Sequence, residues 1–441
     1  MPPDRKNSFP PIALLAGKFF NPLADSPSLL DKAWRFFGVF EKTLMTTIQK
    51  NSPPGPTDPG SVGYTRPRSL RIATEANPLP LDCGRKLGPV TIEYEIYGEM
   101  NADKSNVILV THALSGDAHA AGWDSTAVDR GLEFRVRKPG WWDGIIGPGK
   151  CLDTTRYCVV CSNVVGSCYG STGPSSNNPA TGKPYGLQFP MITVGDWVRA
   201  QARLFDHLGV QKLLLVIGGS LGGQQALEWG LAFPDRVANI AVLASAASLN
   251  PIMIGINAIA RHGIFNDPAF QGGNYYGSEK KPEAGLAGAR MMGHLTFLAH
   301  PSTWQKFGRE RVRGGTAAEF TWETEFQIES YLKYQAANFL KRFDANSYLY
   351  ITKAMDYYDA AAQWGNGDLT AACRRLRARC LVMSFGADWM YTPEESRQLA
   401  HAMQAAGAQT TLVETPSTYG HDAFLVELDD VNRTVRDFLN S

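Results

Sequence analysis

The sequence predicts an α/β protein: a mostly parallel, doubly wound sheet with a helical lid insertion before its last strands. Three observations predict it. Near-continuous apolar runs recur at residues 107–110, 157–160, 213–217, 240–243 and 381–384. Runs of that length read as strands buried on both faces, as in a parallel sheet covered by helices. Between them, at 194–208, 223–232 and 394–406, the pattern is helical, and alternation of the two kinds of element is the mark of this class. From about 248 to 370 the alternation stops. Helical stretches at 254–265, 284–299, 326–339 and 346–358 follow one another with no convincing strand.

The beginning of the chain differs from the rest. A Pro-rich start leads to residues 29–48, where Leu30, Trp34, Phe37, Phe40 and Leu44 could line one face of a helix. The stretch 52–60 then has linker composition. A partner-docking or membrane-surface helix is one reading. A poorly ordered extension, or a true translation start at Met45, is the reading the composition favours. The expected division is a flexible extension over 1–75, a core made of 76–247 and 371–441, and the insertion over 248–370.

Composition narrows the function. Across 441 residues, 43 Lys+Arg face 42 Asp+Glu, a net charge of +1. That balance argues against a nucleic-acid-coating role, which needs a basic face. With 44% hydrophobic residues the chain can bury a large core. Seven cysteines are too few for a disulfide scaffold and fit a cytoplasmic protein. Cys158 and Cys161 form a C-x-x-C, but inside an apolar run, which reads as packing. No run of 18 apolar residues occurs and no cleavage site follows the short apolar run at 12–16, so neither a membrane span nor a signal peptide is expected.

The sharpest motif is Gly218-Gly219-Ser220-Leu221-Gly222-Gly223. It follows a strand run and precedes a helical one, the context of a nucleophile elbow. Small residues let strand and helix approach, and the serine oxygen projects at the sheet's C-terminal edge beside a helix N-terminus. A serine hydroxyl needs a base, and the base needs a carboxylate to orient it. His421, after the run 410–414 and before the last helix, is the late histidine in a fitting loop. Asp388 stands just past the run 380–385. An oxyanion hole needs two backbone N–H donors. Leu221 supplies one; the other is expected from the loop after 107–110, at Leu114, with Ala113 the alternative. His112 reads as a loop-fixing residue rather than a base.

These residues resemble the homoserine O-acyltransferases of the α/β-hydrolase superfamily, chiefly the homoserine O-acetyltransferase family. The likeness extends to His112-Ala113-Leu114-Ser115-Gly116, Gly140-Trp141-Trp142-Asp143, Gly170-Ser171-Thr172-Gly173-Pro174, Arg342-Phe343-Asp344-Ala345-Asn346 and Gly420-His421-Asp422-Ala423-Phe424. It covers roughly residues 78–440. It implies an α/β-hydrolase fold and a ping-pong reaction of methionine biosynthesis, in which Ser220 carries an acyl group from an acyl-CoA to the hydroxyl of L-homoserine. It implies Arg261 and Asp422 for the carboxylate and ammonium of the acceptor, and a homodimer built through the insertion. Acetyl-CoA enters as a substrate, with no metal and no bound cofactor. Succinyl-using relatives tend to carry an arginine in the loop of the catalytic aspartate. Here that position is Met390, which favours acetyl as the donor, although Arg137-Lys138-Pro139-Gly140-Trp141 is similar to succinyl-type relatives. Succinyl transfer, serine as acceptor, and a serine esterase or thioesterase with the same triad are the alternatives.

Overall fold

The computed structural model describes residues 55–314 and 320–441. Its centre is an eight-stranded sheet. In chain order the strands are β1 (Arg68–Ala73), β2 (Val90–Tyr97), β3 (Val107–Thr111), β4 (Cys158–Ser162), β5 (Leu215–Gly219), β6 (Asn239–Leu243), β7 (Arg379–Phe385) and β8 (Thr410–Thr415). Across the sheet the order is β8-β7-β6-β5-β3-β4-β2-β1. All neighbours are parallel except β2 with β4 and β1 with β2.

The apolar runs explain this arrangement. Every residue of β3, β4, β5 and β6 is buried. Along β3, Val107 and Leu109 join one core while Ile108 and Val110 join the other, so each strand feeds two layers. On the first face lies α1 (Val194–Leu208), begun by a capping box between Thr193 and Asp196 and ended by left-handed Gly209. Beside it packs α2 (Leu221–Ala232), buried at every position but the last. A later helix, α10 (Pro393–Ala405), is started by a Thr392–Glu395 capping box. The other face is covered by the final helix, α11 (Leu428–Asn440), through Val431, Val435 and Phe438.

Between β6 and β7 the described residues hold helices and no strand. These are α3 (Pro251–Phe265), α4 (Glu283–Phe297), α5 (His300–Phe307), α6 (Gln327–Leu340), α7 (Ala345–Tyr357), α8 (Ala360–Gly365) and α9 (Leu369–Cys373). No helix among the described residues is long and apolar enough to cross a membrane.

Three sequence expectations need adjusting. Residues 55–75 are not a flexible extension: β1 completes the sheet on β2, and Tyr64–Thr65 pairs with Trp123–Asp124. The reason is visible in Arg68-Ser69-Leu70-Arg71-Ile72-Ala73, where alternate residues face inward as on a half-exposed edge strand. A search for continuous apolar runs passes over such a strand. The nucleophile strand begins and ends two residues later than its apolar run, because Gly218 and Gly219 remain in the ladder with β3 and β6. The helix after it starts at Leu221, directly behind the serine. The proposed helix at 29–48 and Met45 lie outside the described residues. Cys158 and Cys161 belong to opposite cores and all seven cysteines are free, which matches a packing role.

Candidate active site

Ser220 sits between β5 and α2 with φ 59° and ψ −127°, a backbone conformation that a residue with a Cβ rarely adopts. The glycines make it possible. A Cβ on Gly218 would lie 2.2 Å from the Thr111 hydroxyl oxygen, and one on Gly222 would lie 2.2 Å from the Thr111 carbonyl oxygen. The strand and the helix therefore press against β3 as only glycines allow. Thr111 closes the contact by donating its hydroxyl to the carbonyls of Ile217 and Gly222.

Three strand ends meet at this point. The Ser220 Oγ lies 2.7 Å from Nε2 of His421, which follows β8. Nδ1 of the same imidazole lies 2.8 Å from Oδ2 of Asp388, which follows β7. The other oxygen of Asp388 accepts the backbone N–H groups of Met390 and Tyr391 at 2.9 and 3.0 Å. That locks the carboxylate, which in turn selects the tautomer with hydrogen on Nδ1 and leaves Nε2 to accept the serine proton. Burial works against a charged imidazole at His421. The Asp388 carboxylate outweighs it, and the pKa stands above the ordinary histidine value. Rings of Phe297, Tyr391 and Phe424 surround it at 6.0, 5.5 and 5.8 Å.

The serine and histidine lie on the wall of a cavity of about 520 Å³. Leu114 and Ala113 line the same cavity. The Ser220 carbonyl takes the N–H groups of Gly223 and Gln224, which leaves the N–H of Leu221, the first residue of the helix, without an intrahelical acceptor. His112 is held by the Ala113 carbonyl at 2.8 Å and accepts the Val164 N–H at 3.1 Å. It fixes the loop that carries Leu114 and stays out of the serine chemistry.

The structure does not bring Arg261 to this cavity. Its guanidinium is held 2.5 Å from Asp356, which Asn257 also binds at 2.9 Å. The cavity wall instead carries Arg290, from α4, together with Asp422. Burial and the nearby Arg342 lower the Arg290 pKa to about 10, with Asp422 acting against them. Burial raises the pKa of Asp422 in spite of His421 and Arg290. The two groups thus face each other's field without forming an ion pair. Arg290 has a buried Nε with no partner and stacks over Phe339 at 4.6 Å. Sequence reasoning passed over it because Ala289-Arg290-Met291-Met292 reads as one more helical turn. Met390 is buried and lines the cavity, with its carbonyl held by Asn250.

Comparison with known proteins places this geometry. The sequence model of the alpha/beta hydrolase fold family matches residues 107–428. The chain is 50% identical over 380 residues to a homoserine O-acetyltransferase of Geobacter sulfurreducens, covering 86% of this chain and 98% of that one. It is 47% identical over 368 residues to a homoserine O-succinyltransferase of Acidithiobacillus ferrooxidans, covering 83% and 93%. Among solved structures it resembles the homoserine O-acetyltransferase of Bacillus anthracis, with a TM-score of 0.77 and 27% identity over 86% of this chain and 98% of that one. Esterase E22 is similar too, with a TM-score of 0.74 and 29% identity over 85% of this chain and all of that one.

Proposed function

Since this chain belongs to the homoserine O-acyltransferase family within the alpha/beta hydrolase fold, we propose that it moves an acetyl group from acetyl-CoA to the hydroxyl of L-homoserine, a step of methionine biosynthesis. The observation that carries the reading is the Ser220–His421–Asp388 chain of hydrogen bonds at 2.7 and 2.8 Å on the wall of a cavity that also presents Arg290 and Asp422.

His421 Nε2 takes the Ser220 proton as Oγ attacks the thioester carbonyl. The N–H groups of Leu221 and Leu114 receive the oxyanion, at a helix N-terminus that favours negative charge. The C–S bond breaks, the thiol of CoA leaves with the proton held by His421, and Ser220 remains as an acetyl ester. The homoserine hydroxyl then gives its proton to His421 and attacks the ester carbonyl; the bond between the acyl carbon and Ser220 Oγ breaks, His421 returns the proton to Oγ, and the O-acetyl product leaves. Asp388 keeps the imidazole oriented throughout. Arg290 and Asp422 suit the carboxylate and ammonium of the acceptor, since a fork of N–H donors matches a carboxylate and a carboxylate matches an ammonium. Ser220 is only 4% exposed, and His421 3%, which favours a bound hydroxyl over bulk water.

Acetyl is the proposed donor because Met390, an apolar side chain, lines the cavity. A dicarboxylic acyl group would place a carboxylate there at a cost. Apolar side chains exposed on α3 (Ile252, Ile259 and Phe265) support a homodimer through the insertion.

A second reading has one observation in its favour, the likeness to esterase E22. The same triad could pass the acetyl group to water. Purified protein with acetyl-CoA separates the two. CoA release that depends on L-homoserine, with O-acetylhomoserine formed in equal amount, supports transfer. Release at the same rate without the amino acid refutes it.

A further inference from the structure

Four cationic side chains line the cavity: Arg135, Lys138, Arg290 and Arg342. Their surroundings differ. Arg135 is saturated, with Asp117 at 2.7 Å and Asp124 at 2.8 Å. Arg290 shares the cavity wall with Asp422, and together they match the two charges of a zwitterionic amino acid. That leaves Lys138 and Arg342.

Neither of these makes an ion pair among the described residues. Arg342 is held by neutral partners: its Nη1 donates to the Ser115 carbonyl and to the Tyr169 hydroxyl, both at 2.9 Å. It also stacks over the rings of Phe339 and Phe134, at 5.2 and 5.9 Å. Its position is fixed while its charge is left uncompensated. Lys138 lies close enough for burial and the Arg342 charge to lower its pKa, with Asp117 pulling weakly the other way. Asp117 is itself engaged by Arg135. Two like charges held together beside a cavity store repulsion that an anion would relieve.

We infer that Lys138 and Arg342 form an anion subsite that holds a negatively charged group of the acyl donor. The inference rests on the acyl-transfer reading of the same cavity. The acceptor does not supply this anion, because its single carboxylate is met by Arg290. Two parts of a donor carry one: the phosphates of CoA, and the far carboxylate of a dicarboxylic acyl group. The second source would give the protein a succinyl-accepting element built from residues other than Met390.

The test is Lys138→Met, on a loop outside every helix and strand and in no ion pair among the described residues, assayed with four donors. Acetyl-CoA carries the phosphates alone. S-Succinylpantetheine carries the carboxylate alone. Succinyl-CoA carries both, and S-acetylpantetheine neither. A phosphate subsite raises KM about tenfold for the two CoA thioesters only. A carboxylate subsite raises it for the two succinyl donors only. In either case kcat and the homoserine KM hold, Lys138→Arg restores the donor KM, and added salt weakens the native protein's donor KM more than the variant's. Unchanged KM for all four donors overturns the inference, as does an equal rise with uncharged S-acetylpantetheine. Calorimetric titration of succinyl-CoA into Ser220→Ala and Ser220→Ala/Lys138→Met needs no turnover. Equal affinities there overturn the subsite, whereas absence of any acyl transfer by the native protein would instead remove the functional reading.

Discussion

Replacing Arg290 by Met tests how the acceptor is held. The side chain is half-buried on α4, its buried Nε has no partner, and its pKa is lowered by loss of solvent and by Arg342. The fold therefore gains little from this charge, and Arg290→Met is expected to leave thermal stability unchanged or slightly higher. The substrate loses more. An arginine–carboxylate contact is worth about 1.5–3 kcal/mol, or roughly 10- to 150-fold in kcat/KM for L-homoserine. Asp422 also loses a cation that lowers its pKa, so the ammonium partner weakens in the same direction. Acetylation of Ser220 by acetyl-CoA, followed by mass spectrometry without acceptor, should proceed as in the native protein. Arg261→Met is the matched control. It breaks a pair with Asp356 in which the side chains are 11% and 4% exposed, leaving that buried carboxylate only Asn257 at 2.9 Å and Lys353 at 3.9 Å, at a cost of about 1–3 kcal/mol of stability. Its defect should appear as a lowered melting temperature, with the homoserine KM little changed. A homoserine KM within twofold of native for Arg290→Met, or a larger rise for a stably folded Arg261→Met, would refute this assignment.

Three further outcomes follow from the same geometry. Asp388→Asn keeps the shape but disturbs the tautomer of His421, so kcat should fall about 10³- to 10⁴-fold, and Ser220→Ala should lose acyl-enzyme formation altogether; near-native turnover in either would dissolve the triad. Met390→Arg puts a cation on the wall beside Ser220 and should raise the ratio of succinyl- to acetyl-CoA use, read from kcat/KM for each donor; an unchanged ratio removes that position from donor choice. Glu228 on α2 is not among the residues lining the cavity, and burial raises its pKa to about 7 despite the hydrogen bond from Trp364. A carboxyl neutral in the fold and ionised when unfolded stabilises most below the ordinary glutamate value, and that stability drains away as pH rises through about 7. Glu228→Gln should therefore add up to about 3 kcal/mol at pH 8 and little near pH 4.5, measured by denaturant unfolding at both pH values; equal effects at both would argue that Glu228 is not held neutral.

The elbow, the sheet and the order of the site residues could all be read along the chain, for a shared reason. Each rests on local chemistry: apolar runs where both faces are buried, glycines where a strand must turn into a helix without a Cβ in the way, and loop His and Asp residues just past strand ends. The edge strand Arg68–Ala73 was harder to read, because an edge needs only one apolar face and its Arg residues look like loop. The two acceptor-binding residues implied by the family resemblance lie in different surroundings. Asp422 adjoins His421 in sequence and so must lie near it, and it lines the cavity. Arg261 and Arg290 both lie on helices between β6 and β7, and nothing in either helix says which guanidinium faces the serine.

What the linear order determined by itself was the kind of protein and the place of its nucleophile, since backbone sterics and burial patterns act within a few residues. Folding in three dimensions decided which charges find partners. Asp356 takes Arg261, and Asp117 with Asp124 takes Arg135. Arg290, Arg342 and Lys138 remain on the cavity wall with their charge to offer. Electrostatic pairing depends on distance through space between helices and loops far apart in sequence, and only the packed molecule sets those distances.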